Sequence, residues 1–154
     1  SAFRGKTDTI ISGVKTHLEL IGKQEKWHTV INDADKHYDA IVVGLYHTLV
    51  DKDGKHISAG DVLSWTSSNA KVPLFAFWDF AVGKGKTVGG LVLFGKIQGQ
   101  EAAKMANRIL KGEKPDSILP SIAKKGRFYF SQSELDRWHL SLPPSIKKQA
   151  VIID

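Results

Sequence analysis

VPLFAFWDFAVGKGKTVGGLVLF, residues 72–94, places two apolar runs on either side of a glycine–lysine loop. Two folds compete for it. A phosphate cradle would run strand, loop, helix and would make the chain a nucleotide enzyme. A simple turn would join two strands of one sheet, with Phe77, Trp78, Asp79 and Phe80 at the end of the first. The Walker A pattern needs a glycine, four intervening residues and then Gly-Lys-Ser/Thr, so that the backbone can wrap the phosphates. Gly85-Lys86-Thr87 supplies the end of that pattern, but Phe80 stands where its first glycine belongs. Thr87 also leads into VGGLVLF, a strand pattern, where a helix is required. The loop therefore reads as a basic turn between strands.

Outward from this segment, helical and strand patterns alternate, which marks βαβ units and a mostly parallel sheet. Upstream, DAIVVG (39–44) is an unbroken apolar run ending in glycine, as expected of a strand buried on both faces. Trp27, Val30, Ile31 and Ala34 recur at helical spacing and predict an amphipathic helix over 25–36. Ile10, Ile11, Val14 and Leu18 predict an earlier helix over 5–17, and LELIG (18–22) a short strand. DKDG (51–54) is a turn, and Ser58 or Asp61 can cap a helix carrying Val62, Leu63 and Trp65. Downstream, a helix over 98–111 is expected to turn Ala102, Met105, Ala106 and Ile109 inward and to stop at Gly112. GRFYF then reads as a strand, SQSELDRW as a capped short helix and LPPSI as a turn before a last helical turn. The chain opens on SAFRG, which suits the loop after a strand, so the first strand of the sheet is expected upstream of Ser1.

Composition narrows the function. The 154 residues are enough for one ordinary domain, and no window approaches the ~18 apolar residues of a membrane span. Cysteine is absent, which removes disulfides, thiolate metal sites and a thiol nucleophile. The net charge of +6 is spread in ones and twos among acidic residues, as on a solvated surface, so no nucleic-acid partner is expected. The six histidines form no zinc motif, and Gly-x-Ser-x-Gly does not occur. His47 and His56 with Asp51 and Asp53 offer only a weak metal set, and His47 with Asp79 could pair as base and orienting carboxylate. No metal and no cofactor is expected. In open α/β sheets, ligands bind outside the carboxyl ends of the strands. Two such ends are legible: Tyr46, His47 and Thr48 after the first, Trp78 and Asp79 after the second. Aromatic faces, an imidazole, a hydroxyl and a carboxylate at one rim suit a flat organic molecule with a polar end. Phe77, Trp27 and Trp65 are expected in the core.

DAIVVG, KVPLFAF (71–77), GQEAAKMANRILKGEKPDSI (99–118) and RFYFSQSELDRWHLSLPPSI (127–146) resemble ABC-transporter substrate-binding proteins of the tryptophan/tyrosine-binding type. The resemblance implies the type I periplasmic-binding-protein fold, two flavodoxin-like, doubly wound α/β lobes closing on a solute. It implies that 1–113 is the second lobe and 114–154 a segment returning to the first. Carried over by position, the ligand contacts are Ser1 and Phe3 in the first loop, Tyr46, His47 and Thr48 in the second, and Trp78 and Asp79 in the third. Family members often carry Asp-Asn-Thr where this chain has Tyr46-His47-Thr48. The implied role is non-enzymatic capture of an amino acid or aromatic-type solute, for ABC-type uptake or sensing. The implied partners are the solute, the missing N-terminal lobe, and a membrane permease or fused signalling domain. A second copy of the chain is the other expected partner of an isolated piece. The implied location is periplasmic or otherwise extracytoplasmic, with or without membrane attachment. A flavodoxin-like nucleotide-binding or enzymatic domain is the alternative.

Overall fold

In a computed structural model, which describes residues 7–120 and 126–154, the segment 72–94 forms strand, turn, strand. β4 (Leu74–Ala76) and β5 (Gly89–Val92) pair in parallel, and β3 (Ile41–Val43) pairs in parallel with β4 on its other side. β6 (Arg127–Ser131) runs antiparallel to β5, and β7 (Val151–Ile153) parallel to β6. The result is one five-stranded sheet in the order β3-β4-β5-β6-β7. It is a mostly parallel α/β sheet flanked by helices, the fold class that the sequence led one to expect.

Strand alternation sends neighbouring residues to opposite faces, and the packing follows it. Leu74 and Ala76 join Ile31, Val43, Leu49, Val62 and Leu63 under the helices α1 (Gln24–Asn32) and α2 (Ala59–Asn69). Phe75 joins a second cluster with Val88, Phe130, Leu135, Trp138 and Ile146, covered by the C-terminal segment. That segment, expected to return to an opposing lobe, adds β6 and β7 to the sheet that holds β3–β5, with α4 (Gln132–Arg137) and α5 (Pro144–Lys147) between them. β7 was not expected, and LPPSI leads into it through α5.

Local chemistry explains the boundaries that sequence located. Ser58 caps α2 by accepting a hydrogen bond from the Asp61 amide at 3.2 Å. Ser131 caps α4 by accepting one from the Glu134 amide at 3.2 Å. Asp51 Oδ1 accepts from the amides of Asp53 and Lys55, both at 2.9 Å, and so closes the DKDG turn.

Four expectations give way. Residues 8–17 are a hairpin, β1 (Asp8–Ile11) and β2 (Val14–His17), with no helix. Ser12 and Gly13 both take positive φ, 50° and 85°, the two-residue turn that matches strand twist, and β-branched residues on both sides favour it. LELIG forms no strand, and Leu20 is 90% exposed. DAIVVG is not buried on both faces, because β3 lies at the edge of the described sheet and Val42 is 53% exposed. The helix α3 (Gly95–Leu110) has no buried residue. Met105 is half-buried, whereas Ala102, Ala106 and Ile109 are exposed, since no described element covers that stripe.

At β5 a glycine is obligatory. Gly89 has φ +118°, and a Cβ there would lie 2.0 Å from the Tyr129 carbonyl oxygen on β6. Gly89→Ala is expected to lower stability by at least ~2 kcal/mol in urea unfolding. Gly99→Ala, in open space within α3, is expected to raise it by about 0.5–1 kcal/mol. Equal effects at the two positions would contradict this account of the β5–β6 approach.

Candidate functional site

Because β3, β4 and β5 are parallel, their carboxyl ends share one rim. The first loop there turns through a 3₁₀ segment, Tyr46–Thr48, and the second through another, Asp79–Ala81. The second loop is zipped to the end of β5: Leu93 N–H donates to the Phe77 carbonyl at 2.8 Å, and Asp79 N–H to the Leu93 carbonyl at 3.2 Å.

The rings of the two loops meet. Tyr46 stacks on His47 with centroids 4.3 Å apart and planes 21° apart. His47 meets Phe80 edge to face at 5.4 Å, and Phe80 lies nearly parallel to Trp78 at 6.1 Å and 8°. The run Tyr46–His47–Phe80–Trp78 thus crosses from one loop to the other. Beside it lies a hollow of ≈160 Å³, lined by Tyr46, His47, Leu63, Ser64, Phe80 and Lys86. Sites that enclose a drug-sized molecule span roughly 300–1,000 Å³, so this hollow by itself is smaller than such a site. A hollow of ≈180 Å³ between α1 and α2 is slightly larger, but it lies among Trp27, His28, Asp61 and Trp65 rather than where the strand ends converge.

The residues singled out in sequence fare differently. His47, Trp78 and Asp79 are half-buried at the rim and Thr48 is exposed. Tyr46 is 1% exposed and belongs to the core, where burial raises its hydroxyl pKa. It backs His47 from beneath. Ser1 and Phe3 lie outside the described residues. Phe77, expected in the core, is 51% exposed. Trp27 and Trp65 are half-buried: the Trp27 indole donates to Thr66 Oγ1 at 2.8 Å, and Trp65 stacks on His28 at 3.6 Å. Phe80, also 51% exposed, and Lys86 were not among the chosen site residues. Phe80 was legible as part of the strand end, whereas Lys86 looked like an ordinary turn lysine.

Among the described residues no hydrogen bond or ion pair joins His47 to Asp79, and no group of three His, Cys, Asp or Glu could hold a metal. His56 instead donates from Nε2 to the His47 carbonyl at 2.8 Å and clasps the loop. The glycine–lysine loop points its amides at protein carboxylates. Lys84 N–H donates to Asp154 Oδ2 and Gly85 N–H to Glu134 Oε1, each at 2.8 Å. Thr87 is fully buried and donates to the Ala81 carbonyl at 2.7 Å. A phosphate would have to displace two carboxylates from these donors.

The sequence model of the ABC transporter substrate binding protein family matches residues 12–153. The chain belongs to that family. A crystal structure of a conserved domain protein from Vibrio cholerae O1 biovar El Tor strain N16961 is similar to it, with a TM-score of 0.61 at 15% identity. That likeness covers 92% of this chain and 45% of the other, so this substrate-binding family member spans less than half of its structural neighbour. No curated protein matches it. Among the described residues no helix is long and apolar enough to cross a membrane.

Asp154 gives the loop a pH dependence. Burial raises its carboxyl pKa, but hydrogen bonds from Ser133, Ser131 and Lys84 outweigh that and bring it below the ordinary aspartate value. A depressed folded value stabilises above the unfolded value, and the contribution is lost as pH falls through the folded one. Asp154→Asn should therefore unfold at lower urea than wild type near neutral pH, with the gap closing as pH falls below the ordinary aspartate range. A gap that stays constant in acid would show that the carboxylate is not the stabilising species.

Proposed function

We propose that this chain is one lobe of a two-lobed solute-binding protein, and that the rim formed by His47, Thr48, Trp78, Asp79 and Phe80 contacts the solute. The observation that carries the proposal is the ring contact between His47 and Phe80. It joins two strand-end loops into one aromatic face in a chain of the substrate-binding family. In this proposal 1–113 is the second lobe, Ser1 and Phe3 add to the same face, and 114–154 braces the sheet.

Aromatic faces favour flat, apolar parts of a ligand, and the Asp79 carboxylate favours a cationic or N–H-bearing group. An amino acid or another small aromatic solute meets both demands. The second wall comes from the rest of the protein. Val42, Phe77 and Leu91 are 53%, 51% and 59% exposed, apolar surface that a further part of the protein would cover. Capture is by lobe closure without chemistry: the solute binds the closed form better and shifts the population toward it. The closed form then meets a membrane permease, or a signalling domain, on the outer side of the cytoplasmic membrane. The isolated chain, with its apolar surface uncovered, is expected to pair with itself.

The test is a titration of the full-length protein with a panel of amino acids and aromatic acids, read by tryptophan fluorescence and melting temperature. At least one solute should change the emission and raise the melting temperature in a concentration-dependent way. Trp78→Ala should weaken that solute by ~1–3 kcal/mol, roughly 5- to 150-fold, as expected of a buried aromatic anchor. Wild-type affinity in the variant would remove Trp78 from the site, and silence across the panel would remove the solute role.

A further inference from the structure

Residues 83–87 join the Phe80 turn to β5, and a loop with glycines at φ +141° and +70° has little stiffness of its own. Two carboxylates of the C-terminal segment hold it. Asp154 takes the Lys84 amide from 70 positions away in sequence, and Glu134 takes the Gly85 amide from 49. Hydrogen bonds to ionised acceptors are about twice as strong as neutral ones, so these two outweigh the loop's internal turns.

Neither carboxylate is loosely placed. Glu134 is 3% exposed, and its Oε2 accepts from Arg137 Nη1 at 3.2 Å. Arg137 in turn donates from Nη2 to the Ser67 carbonyl on α2 at 2.8 Å. Asp154 Oδ1 accepts from Ser131 Oγ, Ser133 N–H and Ser133 Oγ at 2.9, 3.1 and 3.0 Å. On the other side, the loop grips the rim. Lys86 Nζ donates to the Phe80 carbonyl at 3.1 Å, and Thr87 bonds the Ala81 carbonyl through its amide at 3.1 Å and its hydroxyl at 2.7 Å. The Phe80 ring stands between His47 and Trp78. A continuous set of contacts therefore runs from α4 and the end of β7 to the aromatic face.

We infer that Glu134 and Asp154 are positioning residues of the rim: by holding the Lys84 and Gly85 amides they set where Phe80 stands, and so tie the C-terminal segment to the solute-binding face. The role as a solute face rests on the function proposed above, while the mechanical tie does not. Any displacement of the segment against β5 reaches Phe80 through these bonds.

The experiment compares amide hydrogen exchange in full-length wild type, Asp154→Asn, Glu134→Gln and Lys86→Met. Asn cannot present acceptors both to Lys84 and to the Ser131–Ser133 group, and Gln must turn its NH₂ toward either Gly85 or Arg137. In these two variants exchange at Lys84 and Gly85 should rise about tenfold, and at Asp79, Phe80 and Ala81 as well, with residues 62–67 of α2 unchanged. Lys86→Met should raise exchange at Asp79, Phe80 and Ala81 alone. Freed loop amides with an unchanged rim, or no change at the loop, would overturn the inference. If the buried Glu134→Gln fails to fold, the exposed Asp154→Asn and Lys86→Met decide by the same criterion. A parallel titration with L-tryptophan as probe separates the two claims. Wild-type binding weakened about tenfold in the variants supports both. Looser rim exchange with undiminished affinity overturns the positioning role. No binding by wild type counts against the solute reading, while exchange still decides the tie.

Discussion

The parallel pairing of β3, β4 and β5 is the constraint from which the rest of the protein follows. Parallel strands bring all their carboxyl ends to one edge, and each end must be followed by a loop that turns back over a face. Two of those loops carry rings, and the strand spacing leaves those rings no separation larger than a contact. The aromatic face is thus a consequence of strand direction. Had β4 run the other way, Tyr46–Thr48 and Trp78–Phe80 would sit at opposite ends of the sheet.

The glycine–lysine loop shows how the same composition serves opposite purposes. Backbone amides in a glycine turn attract anions whatever their source. In a nucleotide enzyme the anion is a phosphate from solution. Here it is a pair of carboxylates, Glu134 and Asp154, from the same chain, so what resembles a catalytic element is a splice between β4–β5 and residues 127–154. The splice lies next to the rim, which gives the tail a means of acting on the face that it does not itself line.

The proposed function asks for a second part of the protein. The lobe's hollow is smaller than those that enclose a drug-sized molecule, and apolar side chains of β3, β5 and the second loop are exposed elsewhere on it. Both features have the same physical reading: a surface of this kind is stable in water only when something covers it. The chain belongs to the substrate-binding family and spans less than half of its structural neighbour, and in the proposed reading another part of the protein does the covering.

Much of this was legible in residues that act over short distances. Ser58, Ser131 and the Asp51 turn announced their helix starts and reversal because a cap or an Asx turn is complete within a few residues. The strand ends read at Gly44 and Phe77, each one residue past the observed ends at Val43 and Ala76, and the failure of Gly85-Lys86-Thr87 as a phosphate loop, were equally local. What eluded sequence depended on distant partners. Ile10, Ile11 and Val14 fit a helical stripe as well as a hairpin, and two positive φ angles at Ser12 and Gly13 decided between them. The stripe on α3 promised burial that no described surface provides. Tyr46 and Phe77 exchanged their expected places because which residue of a strand end faces the core depends on the sheet's neighbours. The sequence by itself determined that the chain is an α/β lobe and where its loops begin, since those follow from local periodicity and capping. Only the tertiary structure decided which rings meet and that Glu134 and Asp154 hold the basic turn, because those contacts span dozens of residues and exist only once the sheet has assembled.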